Sequence, residues 1–203
     1  MTPSPERPRI EGEREHEIFE ATLEVLAEVG YDRLTMDAVA ARARASKATL
    51  YRRWSSKARL VVDALLVSKA PTTLPETGTL RGDLLEVFCG LDGFVCPGNI
   101  ALFGSVITAI TRDQDFADAF RRDVIAPKVA LSRQVWERAR ERGEIDPDAD
   151  LDLLESALPG MVLHRVFVLG DCPDQSLVER VLDRIVLPAA TRGSHPRPEE
   201  TPS

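Results

Sequence analysis

Residues 35–57 constrain the fold of this chain more than any other segment. Their spacing predicts two short helices separated by a tight turn, with basic and hydroxyl side chains concentrated on the second helix. Residues 31–59 contain eight Lys or Arg and two Asp or Glu, a local net charge of +6 in a chain whose total is −7. A cationic helix-turn-helix on an otherwise acidic protein indicates that one face binds a polyanion, and duplex DNA fits best.

The rest of the chain predicts an all-α fold. Apolar residues recur at helical spacing, aromatic residues make up only 5%, and no β-branched run alternates strictly with polar residues. The longest apolar stretch, residues 100–110, is shorter than the roughly 20 residues that a membrane span requires. Cys89, Cys96 and Cys172 lack metal-ligand spacing and are interpreted as small core residues. We therefore expect a cytoplasmic protein with no metal, no cofactor and no membrane contact.

The first four helices can be placed from their start and stop signals. The first is predicted from about residue 11 to residue 29, with Gly30 as its C-terminal stop. Thr35 is the expected N-cap of the second helix and Ser46 that of the third, because their hydroxyl groups can accept from free backbone N–H groups. The fourth helix is predicted over residues 57–70.

The third helix has the expected geometry of a recognition helix. Leu50 and Trp54, four residues apart, share one face and should pack against the first two helices. Ala48 and Arg52 project from the opposite face, where a small residue allows close approach to a DNA groove. The flanks of that face carry further polar side chains: Lys47, Thr49 and Tyr51.

A second helical region follows a linker at residues 71–78. Pro127 should kink or break its third segment, because proline cannot donate the helical hydrogen bond. The predicted segments are 80–94, 100–111, 116–142, 150–169 and 175–187. The expected regions are a helix-turn-helix DNA-binding domain, a connecting helix, a C-terminal effector-binding and dimerisation domain, and disordered tails: residues 11–55, 56–70, 79–190, and 1–10 with 193–203.

Residues 18–66 resemble the DNA-binding domain of the TetR (TetR/AcrR) family of bacterial transcriptional repressors. The motifs that carry the resemblance are Gly30-Tyr31, Thr35-Met36-Asp37, Ser46-Lys47-Ala48-Thr49-Leu50-Tyr51 and Ser56-Lys57. Residues 78–85 and 142–150 resemble, less strongly, a C-terminal ligand-binding domain of many family members from high-GC bacteria. The resemblance implies a homodimeric repressor that leaves an inverted-repeat operator in double-stranded DNA when a small-molecule effector binds.

The resemblance also implies roles for residues of the DNA-binding domain. Thr35 and Tyr51 are expected at backbone phosphates, while the position of Arg52 on the exposed face favours base contacts. Arg44 stands where the family usually has glycine, and a left-handed conformation there would cost about 1–2 kcal/mol. The full expected DNA-contacting set is Thr35, Arg44, Ser46, Lys47, Ala48, Thr49, Tyr51, Arg52 and Lys57.

An effector site is expected among the helices of the C-terminal domain. His164 and Arg165 interrupt an apolar helix and are interior candidates to orient a ligand, although such a pair is more often a satisfied core or interface group. Most apolar residues at helical spacing are simply core, but five are candidates to line the pocket: Phe88, Phe103, Ile107, Trp136 and Met161.

The last two long helices are apolar over more than one stripe, which suggests that they also bury a surface against a second copy. Their apolar residues are Leu153, Leu154, Leu158, Val162 and Val166, and Leu177, Val181, Leu182, Ile185 and Val186. Two alternatives stay open: a constitutive DNA-binding regulator with a vestigial pocket, and a helical small-molecule-binding protein or enzyme with an incidental basic segment. We do not expect an enzyme, because the sequence has no catalytic Ser/His/Asp or Cys/His arrangement and no phosphate-binding loop.

Overall fold

The computed structural model describes residues 11–67, 73–89, 100–172 and 174–191. Over these residues the chain consists of helices and connecting turns without a strand, which confirms the all-α prediction. Within the same residues no helix is long and apolar enough to cross a membrane. Several predictions fall outside the described residues: the disordered tails, residues 90–94 of the predicted 80–94 helix, and the burial of Cys96.

The N-terminal helices follow the predicted order. They are α1 (Glu11–Arg33), α2 (Met36–Arg42), α3 (Lys47–Arg53) and α4 (Lys57–Val67). Helix α1 is interrupted at Gly30, where φ is 77° and ψ is 167°. Because residues with a side chain rarely adopt this φ, glycine provides the break, and the regular part of α1 ends at the predicted stop.

The later helices are interrupted by π-helical segments. The helices are α5 (Leu80–Cys89), α6 (Ile100–Arg112), α7 (Gln114–Phe120), α8 (Ala126–Glu141), α9 (Leu151–Leu163), α10 (Gln175–Val181) and α11 (Leu187–Thr191). The π-helical segments are Arg121–Ile125, His164–Val168 and Leu182–Val186. The first stands where a break was expected near Pro127. The Ala126 N–H bonds to the Arg121 carbonyl five residues back, directly before the proline that has no N–H to donate.

The described residues form two compact units. The first unit comprises the described parts of Met1–Ala70 and Ile100–Ala126, and the second unit those of Pro71–Asn99 and Pro127–Ser203. Residues 100–126 therefore pack with the N-terminal helices, although the sequence boundaries placed them in the C-terminal domain. As limits of functional modules, those boundaries stay a prediction.

The core of the first unit lies between α1, α4, α6 and α7. Leu26, Leu60 and Phe116 are fully buried in it. The Ser105 hydroxyl of α6 donates to the Leu26 carbonyl of α1 at 3.1 Å. Since each fully buried side chain of this size contributes about 1.5–3 kcal/mol, the core fixes α1 and α4 as the support for α2 and α3.

The second unit encloses a separate core between α5, α8, α9 and α10. Trp136, Leu84 and Leu182 are buried in it. Cys89 is half-buried on α5, whereas Cys172 is exposed in the turn before α10. The interpretation of Cys172 as a core residue is therefore wrong, because that turn lies at the protein surface.

Candidate nucleic-acid interface

Two hydroxyl caps set the starts of α2 and α3. Thr35 Oγ1 accepts from the Ala38 N–H at 3.1 Å, and Ser46 Oγ accepts from the Thr49 N–H at 3.1 Å. Both are the caps that the sequence predicts. Such a cap contributes about 1 kcal/mol, which matters because helices of two turns are unstable on their own.

The turn between α2 and α3 is closed by a left-handed residue. Arg44 has a φ of 50°, so the left-handed conformation considered from the sequence is present. The Ala45 N–H bonds to the Ala40 carbonyl at 2.8 Å and the Arg44 N–H to the Ala41 carbonyl at 3.2 Å, the hydrogen-bond pair of a Schellman motif. The Arg44 carbonyl accepts from the Arg14 guanidinium at 2.6 Å, which ties the turn to α1.

Helix α3 is anchored by one apolar face. Leu50 is fully buried and Trp54 is 2% exposed, as their four-residue spacing predicts. The Trp54 ring meets Phe19 of α1 edge to face, with ring centres 5.6 Å apart. Its Nε1–H donates to Asp63 Oδ2 of α4 at 3.1 Å. The anchor therefore holds α3 against both α1 and α4.

The opposite face of α3 is open to solvent. Ala48 and Arg52, one helical turn apart, are exposed, and Tyr51 is 58% exposed. Thr49 is half-buried because its hydroxyl lies 2.7 Å from Ser46 Oγ. All nine residues of the expected DNA-contacting set reach the surface: Thr35, Arg44, Ser46, Lys47, Ala48, Tyr51 and Arg52 are exposed, and Thr49 and Lys57 are half-buried.

Several basic side chains around α3 are paired with acids of the same unit. Lys47 Nζ lies 2.5 Å from Asp37 Oδ2, and Arg53 Nη2 lies 2.7 Å from Glu15 Oε2. The hydrogen bond and the charge of Asp37 raise the pKa of Lys47. Arg52, in contrast, makes no ion pair with any side chain that the structure describes. Further pairs join Arg42 to Glu24 and Glu28, and Arg59 to Asp63 and Asp123.

Lys57, at the start of α4, contacts a buried tyrosine. Its Nζ donates to the Tyr31 carbonyl at 3.0 Å and lies 4.3 Å from the centre of the Tyr31 ring. The Tyr31 hydroxyl donates to Asp113 Oδ2 at 2.6 Å, and Asp113 also caps α7 through the Phe116 N–H at 2.9 Å. Burial and the hydrogen bond to Asp113 raise the pKa of Tyr31, so its hydroxyl stays protonated. The Gly30-Tyr31 motif marks Tyr31 in the sequence, but no local signal identifies Asp113, 82 positions away.

The residues expected at an effector site are divided between the two units. Phe103 and Ile107 lie on α6 in the first unit. Trp136 is 1% exposed in the core of the second unit, and its Nε1–H has no hydrogen-bond partner in the described parts of the chain. The second unit also contains Phe88, Met161, His164 and Arg165.

His164 is exposed, so the expectation that it lies on an interior face is wrong for the single chain. Val162 is 1% exposed, and a helical residue two positions further on points about 200° away from it. Arg165 is half-buried and its guanidinium pairs with Asp171 Oδ2 at 2.5 Å.

Known sequences similar to this chain belong to transcriptional regulators. The profile described as bacterial regulatory proteins, tetR family, matches residues 18–64, and that described as tetracyclin repressor-like, C-terminal domain, matches residues 74–185. The chain is 38% identical to the uncharacterized HTH-type transcriptional regulator Rv1556 of Mycobacterium tuberculosis, over 95% of this chain and 93% of the relative. It is 36% identical to the DNA-binding transcriptional repressor TetR of Mycobacteroides abscessus, over 84% of this chain and 90% of the relative.

A solved structure supports the same relationship. The crystal structure of the TetR family transcription regulator SCO0332 is 32% identical, with a TM-score of 0.66, and covers 89% of this chain and 100% of that one. The capped helix-turn-helix with its exposed basic helix, in a chain whose described residues form helices and turns, agrees with these relatives, and together they define a DNA-binding transcriptional regulator. The chain belongs to the TetR family, as both matched domains and the relatives show. It is a regulator and not an enzyme, which removes one of the alternatives left open by the sequence.

Proposed function

We propose that this protein is a cytoplasmic homodimeric repressor that binds an inverted-repeat operator and releases it when a small-molecule effector binds. The exposed face of α3 carries the proposal, because Arg52 stands on it without an ion-pair partner among the described residues, while Leu50 and Trp54 hold the helix rigidly. One such helix buries too little duplex for tight specific binding, so two copies related by a two-fold axis are required.

The residues around α3 have different proposed roles. Arg52 reads a base edge in the major groove, where a guanidinium can donate two hydrogen bonds to guanine. Thr35 and Tyr51 bind phosphates on either side of the groove, which positions the helix without selecting a sequence. Lys57 keeps two N–H donors beyond the one used on the Tyr31 carbonyl, so a phosphate contact is compatible with its position.

The dimer is supported by apolar side chains that a single copy leaves in water. Leu153 on α9 is 66% exposed, and Val168 and Leu169 after it are 69% and 56% exposed. Ile185, in the π-helical segment after α10, is 46% exposed. Exposed apolar groups of this size in one unit mark an interaction surface, and a second copy is the partner that the palindrome requires.

Repression is supported by a relative that is named a DNA-binding transcriptional repressor. Effector control is supported by an unsatisfied polar group among the described core residues of the second unit. The buried Trp136 Nε1–H lacks an acceptor within the described residues, and Phe88 and Met161 are half-buried beside the same core. An effector that binds better to a DNA-incompetent arrangement would weaken operator binding by about 1–3 kcal/mol. Arg165, half-buried in the same unit, is a further proposed effector residue.

A constitutive regulator with a filled pocket is the second candidate function. The 1% exposure of Trp136 favours it, because a closely packed indole leaves little room for a ligand. A DNA-release and thermal-shift screen with small molecules separates the two. Compounds that raise the melting temperature and release DNA support effector control, whereas none would act on a constitutive regulator.

Selection of bound sequences from a random pool of duplex DNA tests the proposal. We expect an inverted repeat whose half-sites lie about 10 base pairs apart, or a multiple of that spacing. Affinity for the selected duplex should fall with salt, with a log–log slope of about −0.9 for each phosphate contacted. Recovery of no preferred sequence, or binding that does not depend on salt, would contradict the proposal.

A further inference from the structure

The three cations of α3 differ in their surroundings. Lys47 at its first residue contacts Asp37 of α2, and Arg53 at its last residue contacts Glu15 of α1. Arg52 makes no ion pair with a described side chain. Both ends of the helix are therefore partly neutralised from within the protein, whereas the cation on the exposed face between them has no ion-pair partner among the described residues.

The pair at the first end is the more accessible to DNA. The side chain of Lys47 is 64% exposed and that of Asp37 is 51% exposed. Because both partners are exposed, solvent screens their attraction, and a phosphate can displace the carboxylate.

We infer that Asp37 acts as an intramolecular competitor of phosphate for Lys47 and thereby lowers the affinity for non-specific DNA. On any duplex, a phosphate must displace the Asp37 carboxylate before Lys47 can contribute to the affinity for DNA. The base contacts of Arg52 are made without such a displacement and are kept in full on the operator. Asp37 therefore weakens the phosphate-dependent part of binding on every duplex and leaves the sequence discrimination by Arg52 unchanged, a role that rests on the proposed function of α3 as the recognition helix.

The substitution Asp37→Asn keeps the shape of the side chain and removes its charge. We expect the Kd for a 20-base-pair duplex of random sequence to fall about fivefold at low salt, the equivalent of about 1 kcal/mol. The log–log salt slope on that duplex should become steeper by about 0.9, because Lys47 now releases one more counterion. The Kd for the operator should fall by the same factor, so the ratio of operator to random-sequence affinity should stay unchanged.

The matched control is Asp32→Asn in the same unit. Asp32 is also an exposed carboxylate with a basic partner, Arg112, at 3.2 Å, but among the described residues it makes no ion pair with α3. Asp32→Asn changes the total charge by the same amount as Asp37→Asn, so an effect of total charge on DNA affinity would appear equally in both variants. Asp37→Glu restores the charge and should restore the wild-type slope. In Asp37→Asn/Lys47→Met the gain in affinity should disappear, and melting temperatures confirm that each variant is folded at the assay temperature.

The experiment distinguishes a failure of the competitor role of Asp37 from a failure of the proposed DNA-binding function. If the wild type binds neither duplex with salt dependence, the DNA-binding role itself fails. If the wild type binds but Asp37→Asn matches Asp32→Asn, or keeps its gain without Lys47, the competitor role of Asp37 is wrong. Weaker binding of Asp37→Asn to both duplexes would also overturn it, because Asp37 would then orient Lys47 toward DNA.

Discussion

Arginine at position 44 occupies a backbone conformation that favours glycine. Its φ of 50° is needed to close the Schellman motif between α2 and α3, and its carbonyl is held by Arg14. A residue with a Cβ in this region costs about 1–2 kcal/mol. The protein keeps an exposed cation beside the recognition helix at the expense of that strain.

We predict that Arg44→Gly unfolds at a higher urea concentration than Arg44→Ala, by about 1 kcal/mol in free energy of unfolding. Both variants remove the guanidinium, so they share any loss of charge, and only glycine relieves the strain. Urea denaturation at pH 7 measures the difference. Equal stability of the two variants would mean that the left-handed conformation costs nothing here.

Arg52, which makes no ion pair with a described side chain, leads to a prediction about sequence preference. Arg52→Ala should change the bases recovered by selection and reduce discrimination at one position of each half-site by about 1–3 kcal/mol. The control Arg121→Ala removes an equally charged, exposed side chain that pairs with Asp118 outside α3. An unchanged selected sequence in Arg52→Ala would contradict the base-reading role.

Local signals predicted several residues of the interface correctly. The caps Thr35 and Ser46 and the anchors Leu50 and Trp54 follow from hydroxyl placement and four-residue spacing, which act within one or two turns. The acid that pairs with Arg53 could not be predicted, because Glu15 lies 38 positions away and meets it only through the packing of α1. The assignment of each residue to a phosphate or a base stays a prediction.

At the scale of elements, the start of α5 depends on close packing around a buried carboxylate. A Cβ on Gly82 would lie 2.3 Å from Thr77 Oγ1, so any side chain at this position would clash with Thr77. Thr77 can then donate its N–H and hydroxyl to Asp83, while Arg138 donates at 2.9 Å and Arg142 at 3.4 Å. Burial raises the pKa of Asp83, but the hydrogen bonds from Thr77 and Arg138 outweigh it, and the net pKa is lowered.

This lowered pKa predicts how stability changes with pH. A carboxylate with a lower pKa in the folded state stabilises the fold above its ordinary pKa, 3.8, and that contribution is lost as pH falls through the folded-state value. At pH 7, the free energy of unfolding of Asp83→Asn should therefore be about 3 kcal/mol below that of the wild type, because two arginines lose their buried charged partner. The difference from wild type should shrink below pH 4. Urea unfolding at several pH values measures it, with the exposed Asp118→Asn as control, and a constant difference would contradict the prediction.

Helix positions were more predictable than helix packing. Gly30 and Pro127 mark irregular backbone because their conformational limits act locally, and the structure has a break at the first and a π-helical segment before the second. That α6 packs against α1 could not be read from spacing, because an apolar stripe shows that a helix is buried but not which helix covers it. The assignment of His164 to an interior face failed for a related reason, since an apolar helix with several stripes has no unique inner side.

At the scale of the whole molecule, the exposed apolar side chains of the second unit require an explanation. The regions around α9 and α10 expose several of them: Leu153, Phe167, Val168, Leu169 and Ile185. Removing such a surface from water stabilises an assembly by roughly 25 cal/mol for each Å² of apolar area. The proposed two-fold symmetric dimer would cover the surface with an identical copy and bring two α3 helices to one operator, so one interface would serve both stability and operator reading.

We predict that the wild type sediments as a dimer at micromolar concentration and that Val168→Glu shifts it toward the monomer. Val168 is 69% exposed in the single chain, so glutamate is tolerated there until a second copy buries its charge, at a cost of several kcal/mol. Val129→Glu on α8, at a side chain 50% exposed in the same unit, adds the same charge outside the proposed interface and should leave the dimer intact. Sedimentation velocity over a concentration series measures both.

Because a monomer presents one recognition helix to a two-part operator, Val168→Glu should also lose operator affinity that returns at higher protein concentration. A wild type that stays monomeric, or a Val168→Glu variant that stays dimeric, would place the interface elsewhere on the molecule.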